Sequence, residues 1–296
     1  MAEIRMKEHP LCVLIIPSLA SGHLRASLEQ EAQNQGWSYV AAGRSLDDDV
    51  ISPHTLIVSE SVSAFKGFPA QCVTIVHTDP DSVVELFWQM DPVERRYLVG
   101  RASIFLAEAE ALAREGARVV RNPADLHLGA PFRPISLHKV PSDHPMGVLE
   151  MFDELPCRPG CVTSWPPTLF RYTSAPTGAT GAVGDIELVG PPRALVFGPY
   201  IHLPTGSWHL ALDIHIEVED TPISLTMEWG DHFDSPACPV RFKNSGLYRL
   251  DFLANLDASR PAELRVSIPS ASLHGRLRIL GASVSYVGSS NLDISN

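Results

Sequence analysis

The sequence predicts an α/β domain followed by an all-β domain, and three patterns carry that expectation. Residues 11–16, Leu-Cys-Val-Leu-Ile-Ile, form an unbroken apolar run of the kind found in a strand buried on both faces, and helical periods follow it. From Trp208 the chain alternates strictly instead. Trp208, Leu210, Leu212, Ile214, Ile216 and Val218 fall on one face, and His209, Asp213, His215, Glu217 and Glu219 on the other, so one face packs and one is wet. Between these regimes, residues 130–167 are rich in proline, which opposes a continuous element. A chain of 296 residues is long enough for two domains of about 130–150 residues. The expected division is 1–138, a proline-rich linker over 139–180, and 181–296.

In the first domain five strands are expected, at 11–16, 38–42, 55–58, 71–76 and 117–121. Helices separate them. Leu24, Leu28 and Ala32 share one helical face, and Gly36 supplies a left-handed stop. Asp79-Pro80 offers an N-cap with proline at the first helical position, ahead of a stripe of Val83, Leu86, Phe87 and Met90. Asp91-Pro-Val-Glu94 repeats the device, and the alanine-rich stretch 102–115 ends at Gly116. Strands alternating with helices imply a mostly parallel sheet covered by helices, a Rossmann-like domain.

Ligands of such sheets meet the loops beyond the carboxyl ends of the strands, which selects Ser18, Ser21, Gly22, His23, Glu60, His77, Asp79 and Asn122. The Ser21-Gly22-His23 turn would hold a phosphate or a sugar hydroxyl on the N–H groups of a helix start, or would be a plain strand-to-helix turn. It matches neither a dinucleotide fingerprint nor a P-loop. His77-Thr78-Asp79 has the side chains for proton transfer, while Asp79 equally serves as the cap of the helix after it. Ser59 with His77 and Asp79 would make a triad, but no G-x-S-x-G elbow exists to present the serine.

Charge and cysteine usage narrow the classes further. A formal net charge of −11, with no stripe of Lys and Arg, excludes a polyanion such as nucleic acid as partner. The apolar run at 11–16 is too short for a signal-peptide core or a membrane span, so the expected location is the cytoplasm. The cysteines Cys12, Cys72, Cys157, Cys161 and Cys238 are an odd set with no disulfide framework. Cys12 and Cys72 read as small apolar filler. Cys157 and Cys161 lack the further ligands of a zinc site, so they are expected as free or redox-active thiols. Neither a metal nor a cofactor is expected.

The second domain reads as short strands separated by turns, at 186–189, 194–197, 207–218, 223–229, 246–253, 262–268 and 277–286. Its expected core includes Leu210, Leu212, Ile214, Leu225, Met227, Leu250, Phe252, Leu264, Val266 and Ile279. Residues 197–208, Phe-Gly-Pro-Tyr-Ile-His-Leu-Pro-Thr-Gly-Ser-Trp, with Gly246-Leu-Tyr-Arg-Leu, Ala262-Glu-Leu-Arg-Val and Gly275-Arg-Leu-Arg-Ile-Leu-Gly-Ala, resemble a bacterial jelly-roll module. That module is similar to carbohydrate-binding modules appended to glycosyltransferases and polysaccharide-synthesis proteins. Over the first half, the small-residue loop at Gly22-His23 and the segment Gly116-Ala-Arg-Val-Val-Arg-Asn122 distantly resemble the N-terminal lobe of a GT-B glycosyltransferase, whose second lobe has no counterpart here.

The resemblance implies a saccharide ligand, and a saccharide site needs aromatic faces beside carboxylates or amides. Tyr200, His202, Trp229, Asp231, His232 and Asp234 supply those groups, although Tyr200 and Trp229 would serve equally as packing residues. His209, Asp213, His215 and Glu217 are expected to be a solvated strand face. Three functions follow: a non-catalytic carbohydrate-binding or accessory protein of bacterial polysaccharide biosynthesis, whose partners would include a saccharide or a synthesis protein; a reduced glycosyltransferase-like enzyme; or a structural adaptor. No dense acid/base or nucleotide-binding motif favours the enzyme.

Overall fold

The computed structural model describes residues 9–43, 52–90, 94–121, 126–133, 147–173, 183–231 and 235–289. They form two compact units, Met1–Val93 with Phe105–Met146, and Glu94–Ile104 with Gly147–Asn296.

The first unit is built on a parallel sheet of β1 (Leu11–Ile15), β2 (Ser38–Ala42), β3 (Thr55–Ser59), β4 (Val73–Val76) and β5 (Arg118–Val120). Helix α1 (Ser21–Asn34) joins β1 to β2, and α2 (Pro80–Met90) and α3 (Arg95–Arg114) lie between β4 and β5, the first part of α3, as far as Ile104, belonging to the second unit. All five expected strands are present. The apolar run that makes β1 needs cover on both faces, and the sheet gives it the central place, with Val13 opposite Val58 on one side and Thr74 on the other. Leu24, Leu28 and Ala32 of α1 pack against Val13, Ile15 and Val58, and Gly36 ends the helix at φ 71°.

The strand order is β2-β3-β1-β4-β5, which differs from the 3-2-1-4-5 order of the dinucleotide-binding fold. The α/β character therefore holds, but the strand beside β1 is β3. Burial explains the exchange. Every residue of β3 is buried, whereas β2 is exposed or half-buried along its length, as suits an edge.

The second unit is a β-sandwich. One antiparallel sheet runs β14 (Gly246–Leu256), β11 (Gly206–Glu217), β16 (Arg276–Gly288) and β6 (Val162–Trp165), with β8 (Asp185–Glu187) also on β16. The other runs β13 (Ala237–Phe242), β12 (Ile223–Asp231), β15 (Arg260–Ile268), β9 (Arg193–Phe197) and β7 (Arg171–Tyr172), with β10 (Pro199–Leu203) also on β15. The alternation from Trp208 to Ile216 places those side chains in the core. Of the other expected core residues, Leu250 and Phe252 are only half-buried, because β14 is an edge strand. At the far edge of the second sheet β13 carries Pro239 opposite Thr226.

Part of the segment expected as a linker belongs to this sandwich. Val162–Trp165 is a strand on β16, and Phe152, Trp165 and Phe170 are fully buried. Proline density does not oppose edge strands or short 3-10 turns, and those are the elements used there. Among the described residues no helix is long and apolar enough to cross a membrane.

Candidate binding site

The site is on the outer face of the sandwich sheet that contains β15, within the second unit. Strand β10 alternates buried Pro199, Ile201 and Leu203 with half-buried Tyr200 and His202, so the latter two share its outer face. The pairing of β10 with β15 slips between Pro199 and Ile201, leaving Tyr200 as the bulged residue. Its φ is 65°, left-handed and the sole such value at a non-glycine among the described residues. A bulky aromatic residue is costly there, on the order of 1–3 kcal/mol, and such strain persists only where neighbours over-determine it. Bulges of this kind re-aim a side chain.

The neighbour that holds Tyr200 is Glu263. The phenol donates to Glu263 Oε1 at 2.9 Å, and Arg265 donates to Oε2 at 2.8 Å. Arg265 also reaches Glu228 on β12 at 3.1 Å. Glu263 is 3% exposed, and a buried carboxylate needs such donors. Burial, with the hydrogen bond to Glu263 next, pushes the Tyr200 phenol up to about 12, and at neutral pH it therefore remains a donor.

The first half of α3 completes the site. Ser103 Oγ accepts the His202 backbone N–H at 2.8 Å and donates to Gly100 O at 2.7 Å. A Cβ at Gly100 would lie 3.5 Å from Tyr200 O, so the small residue allows close approach. Between the helix and β10 a cavity of about 300 Å³ opens, lined by Tyr97, Arg101, Arg171, Pro199, Tyr200 and His202 among others. Tyr97 is 48% exposed, and the Arg171 guanidinium sits over its ring, 4.5 Å from the centroid. Burial lowers the pKa of His202, which favours the neutral imidazole.

The other sequence candidates fall elsewhere. Trp229 is 2% exposed with its ring edge-on to Trp165 at 5.7 Å between centroids. It offers no face to a sugar, because β12 turns it into the core. The carboxylate of Asp231 is held by Arg260 at 2.6 Å. His232 and Asp234, like Asn122, lie outside the described residues. Strand β15 separates β12 from β10, so Trp229 and Tyr200 do not share a site.

In the first unit Ser18 and Ser21 are buried and satisfy each other: Ser18 N–H donates to Ser21 Oγ at 2.8 Å, and Ser21 N–H to Ser18 O at 3.0 Å. Gly22 and His23 are exposed on α1, and Glu60 pairs with Arg25 at 3.4 Å. The Asp79 carboxylate accepts Asp81 N–H at 3.0 Å, so it caps α2. His77 is buried. Ser59 Oγ donates to Ala42 O at 2.8 Å, which removes the triad. Among the described residues no His, Cys, Asp and Glu cluster fits a metal. Cys157 and Cys161 are not disulfide-bonded, and burial pushes the Cys12 thiol up to about 12, as for an inert filler.

Of the sequence candidates, Tyr200 and His202 line this cavity, and Tyr97, Arg171 and the underlying Glu263 were not among them. The outward alternation of Pro261, Glu263, Arg265 and Ser267 on β15 was a usable signal for the last. For Tyr97 and Arg171 there was none, since only the folded chain brings them to β10.

No known protein family and no curated protein matches the chain. Among solved structures, the chain is similar to the CBM22-1 xylan-binding domain of Paenibacillus barcinonensis Xyn10C, at 10% identity over 45% of this chain and 98% of that one, with a TM-score of 0.32. It is similar to the xylan-binding module CBM15 at 10% identity over 44% and 99%, TM-score 0.30. A CBM4 structure gives 13% identity over 42% and 86%, TM-score 0.29. These neighbours are carbohydrate-binding modules, and at such scores the likeness assigns no ligand.

Proposed function

We propose that the protein binds a saccharide through the cavity beside β10, without catalysing a reaction on it, as an accessory protein of polysaccharide assembly. The observation that carries the binding role is Tyr200: a strained, bulged aromatic residue, held by a buried carboxylate, that lines an open cavity. Strain kept at one surface position, with its own charge network beneath, marks a site. Tyr97 and Tyr200 bring apolar rings for pyranose faces, and His202 with the arginines brings partners for hydroxyls. A cavity of about 300 Å³ stands at the small end of ligand sites, which suits one or two sugar rings. The place in polysaccharide assembly rests on the sequence resemblance of residues 197–208 and the motifs after them.

The test is a glycan array followed by calorimetric titration of the best binder. A saccharide should bind the full chain and be lost in Tyr97→Ala, with the melting temperature retained because Tyr97 is half-exposed. Binding that survives Tyr97→Ala and His202→Gln would place the site elsewhere.

A further inference from the structure

We infer that the cavity beside β10 selects an acidic sugar, one whose carboxylate is met by Arg171. This rests on the saccharide-binding reading above and names its ligand class. The chain is acidic, with 34 Asp and Glu against 23 Lys and Arg. The cavity reverses that balance, for among the described residues Arg96, Arg101 and Arg171 line it and no carboxylate does.

The three arginines are not equivalent. Arg96 is neutralised by Glu94, whose Oε2 accepts from Nε at 2.8 Å, and its Nη1 donates to Phe170 O at 3.3 Å. Arg101 has an intramolecular partner of its own. Arg171 meets no carboxylate among the described residues, and its guanidinium rests over the face of Tyr97 at 4.5 Å. A guanidinium resting on a ring uses its π-face and keeps its N–H edge for a planar, two-oxygen acceptor. Arg171 and Tyr200 line the same cavity.

A neutral sugar would leave that guanidinium partnered by hydroxyls alone. A uronate would give it a charge-matched fork while its ring rests against the tyrosines.

The matched probes are cellobiouronic acid and cellobiose, which differ only in a carboxylate against a hydroxymethyl group. Titrated into the full chain, the acid should bind about tenfold more tightly or better, and added salt should weaken the acid alone. Arg171→Gln should bring the two affinities together, and Arg171→Lys should keep part of the difference. If Arg171→Gln melts early, the lysine variant decides: full retention of the preference overturns the role of Arg171. Equal affinities in the parent chain overturn the acid preference and leave the saccharide reading in place. Acetate binding as well as the disaccharide acid would show an anion site without sugar recognition. Binding of neither disaccharide would overturn the acidic-sugar assignment, and the saccharide reading falls only if the glycan array is blank as well.

Discussion

The Tyr200 phenol donates its proton at 2.9 Å to Glu263, a carboxylate almost wholly removed from solvent, although the two residues are 63 positions apart. One hydrogen bond thus links a β-bulge with a left-handed backbone to a buried carboxylate.

Tyr200→Phe keeps the ring and removes that donor. The Glu263 carboxylate then loses one of its donors, and the variant should lose about 2 kcal/mol of stability, the cost of a buried charge missing one hydrogen bond. Denaturant unfolding reads the loss. A Glu263→Gln partner closes a double-mutant cycle, in which the two effects should fall well short of additive.

Trp229→Ala should destabilise the chain by about 3–5 kcal/mol, since it empties a large core volume beside Trp165. Thermal unfolding checks this. A change within the range of a surface substitution would mean that the indole does not hold the sandwich together.

His202 gives a pH dependence. Burial lowers its folded pKa below the ordinary 6.5. As pH falls below about 6.5 the unfolded chain takes up the proton and the folded chain does not, so stability is full above that value and declines toward the folded pKa. Melting temperature measured from pH 7.5 downward should fall less steeply in His202→Gln than in the parent, the difference opening as pH drops below about 6.5.

The fragment 181–296 should not fold cooperatively. It lacks β6, which is hydrogen-bonded to β16, and β7, which pairs with β9. It also lacks Ser103, the acceptor for His202 N–H. A fragment 147–296 restores the strands and should show partial near-UV structure. A sharp melt from 181–296 would return the sandwich to its shorter boundaries.

How much of this was legible differs by element. Strict alternation from Trp208 and the apolar run at β1 are local signals, and both strands lie where those signals place them. Strand order is not local: β2 and β3 carry similar propensities, and only the full burial of β3 reveals which one sits inside. Trp229 shows the reverse difficulty, because an indole at a strand end before Gly230 and Asp231 is consistent with a platform or with a core residue until its facing partner, Trp165, is known. The candidate cavity was legible only in the residues that share a strand. Tyr200 and His202 share a strand and a face, but Arg171 and Tyr97 reach them only through tertiary folding.

Strand β13, at the rim of the second sheet, has its own consequence for the chain in a crowded solution. An outermost strand is a template onto which another molecule can add its own backbone. Pro239 interrupts the row of N–H donors there, and Arg241 sets a charge on the same stretch. A newcomer would find the ladder broken and would have to desolvate a guanidinium to extend it. The sandwich thus keeps a poor margin on that side, and molecules brought close together would remain separate rather than fuse sheet to sheet.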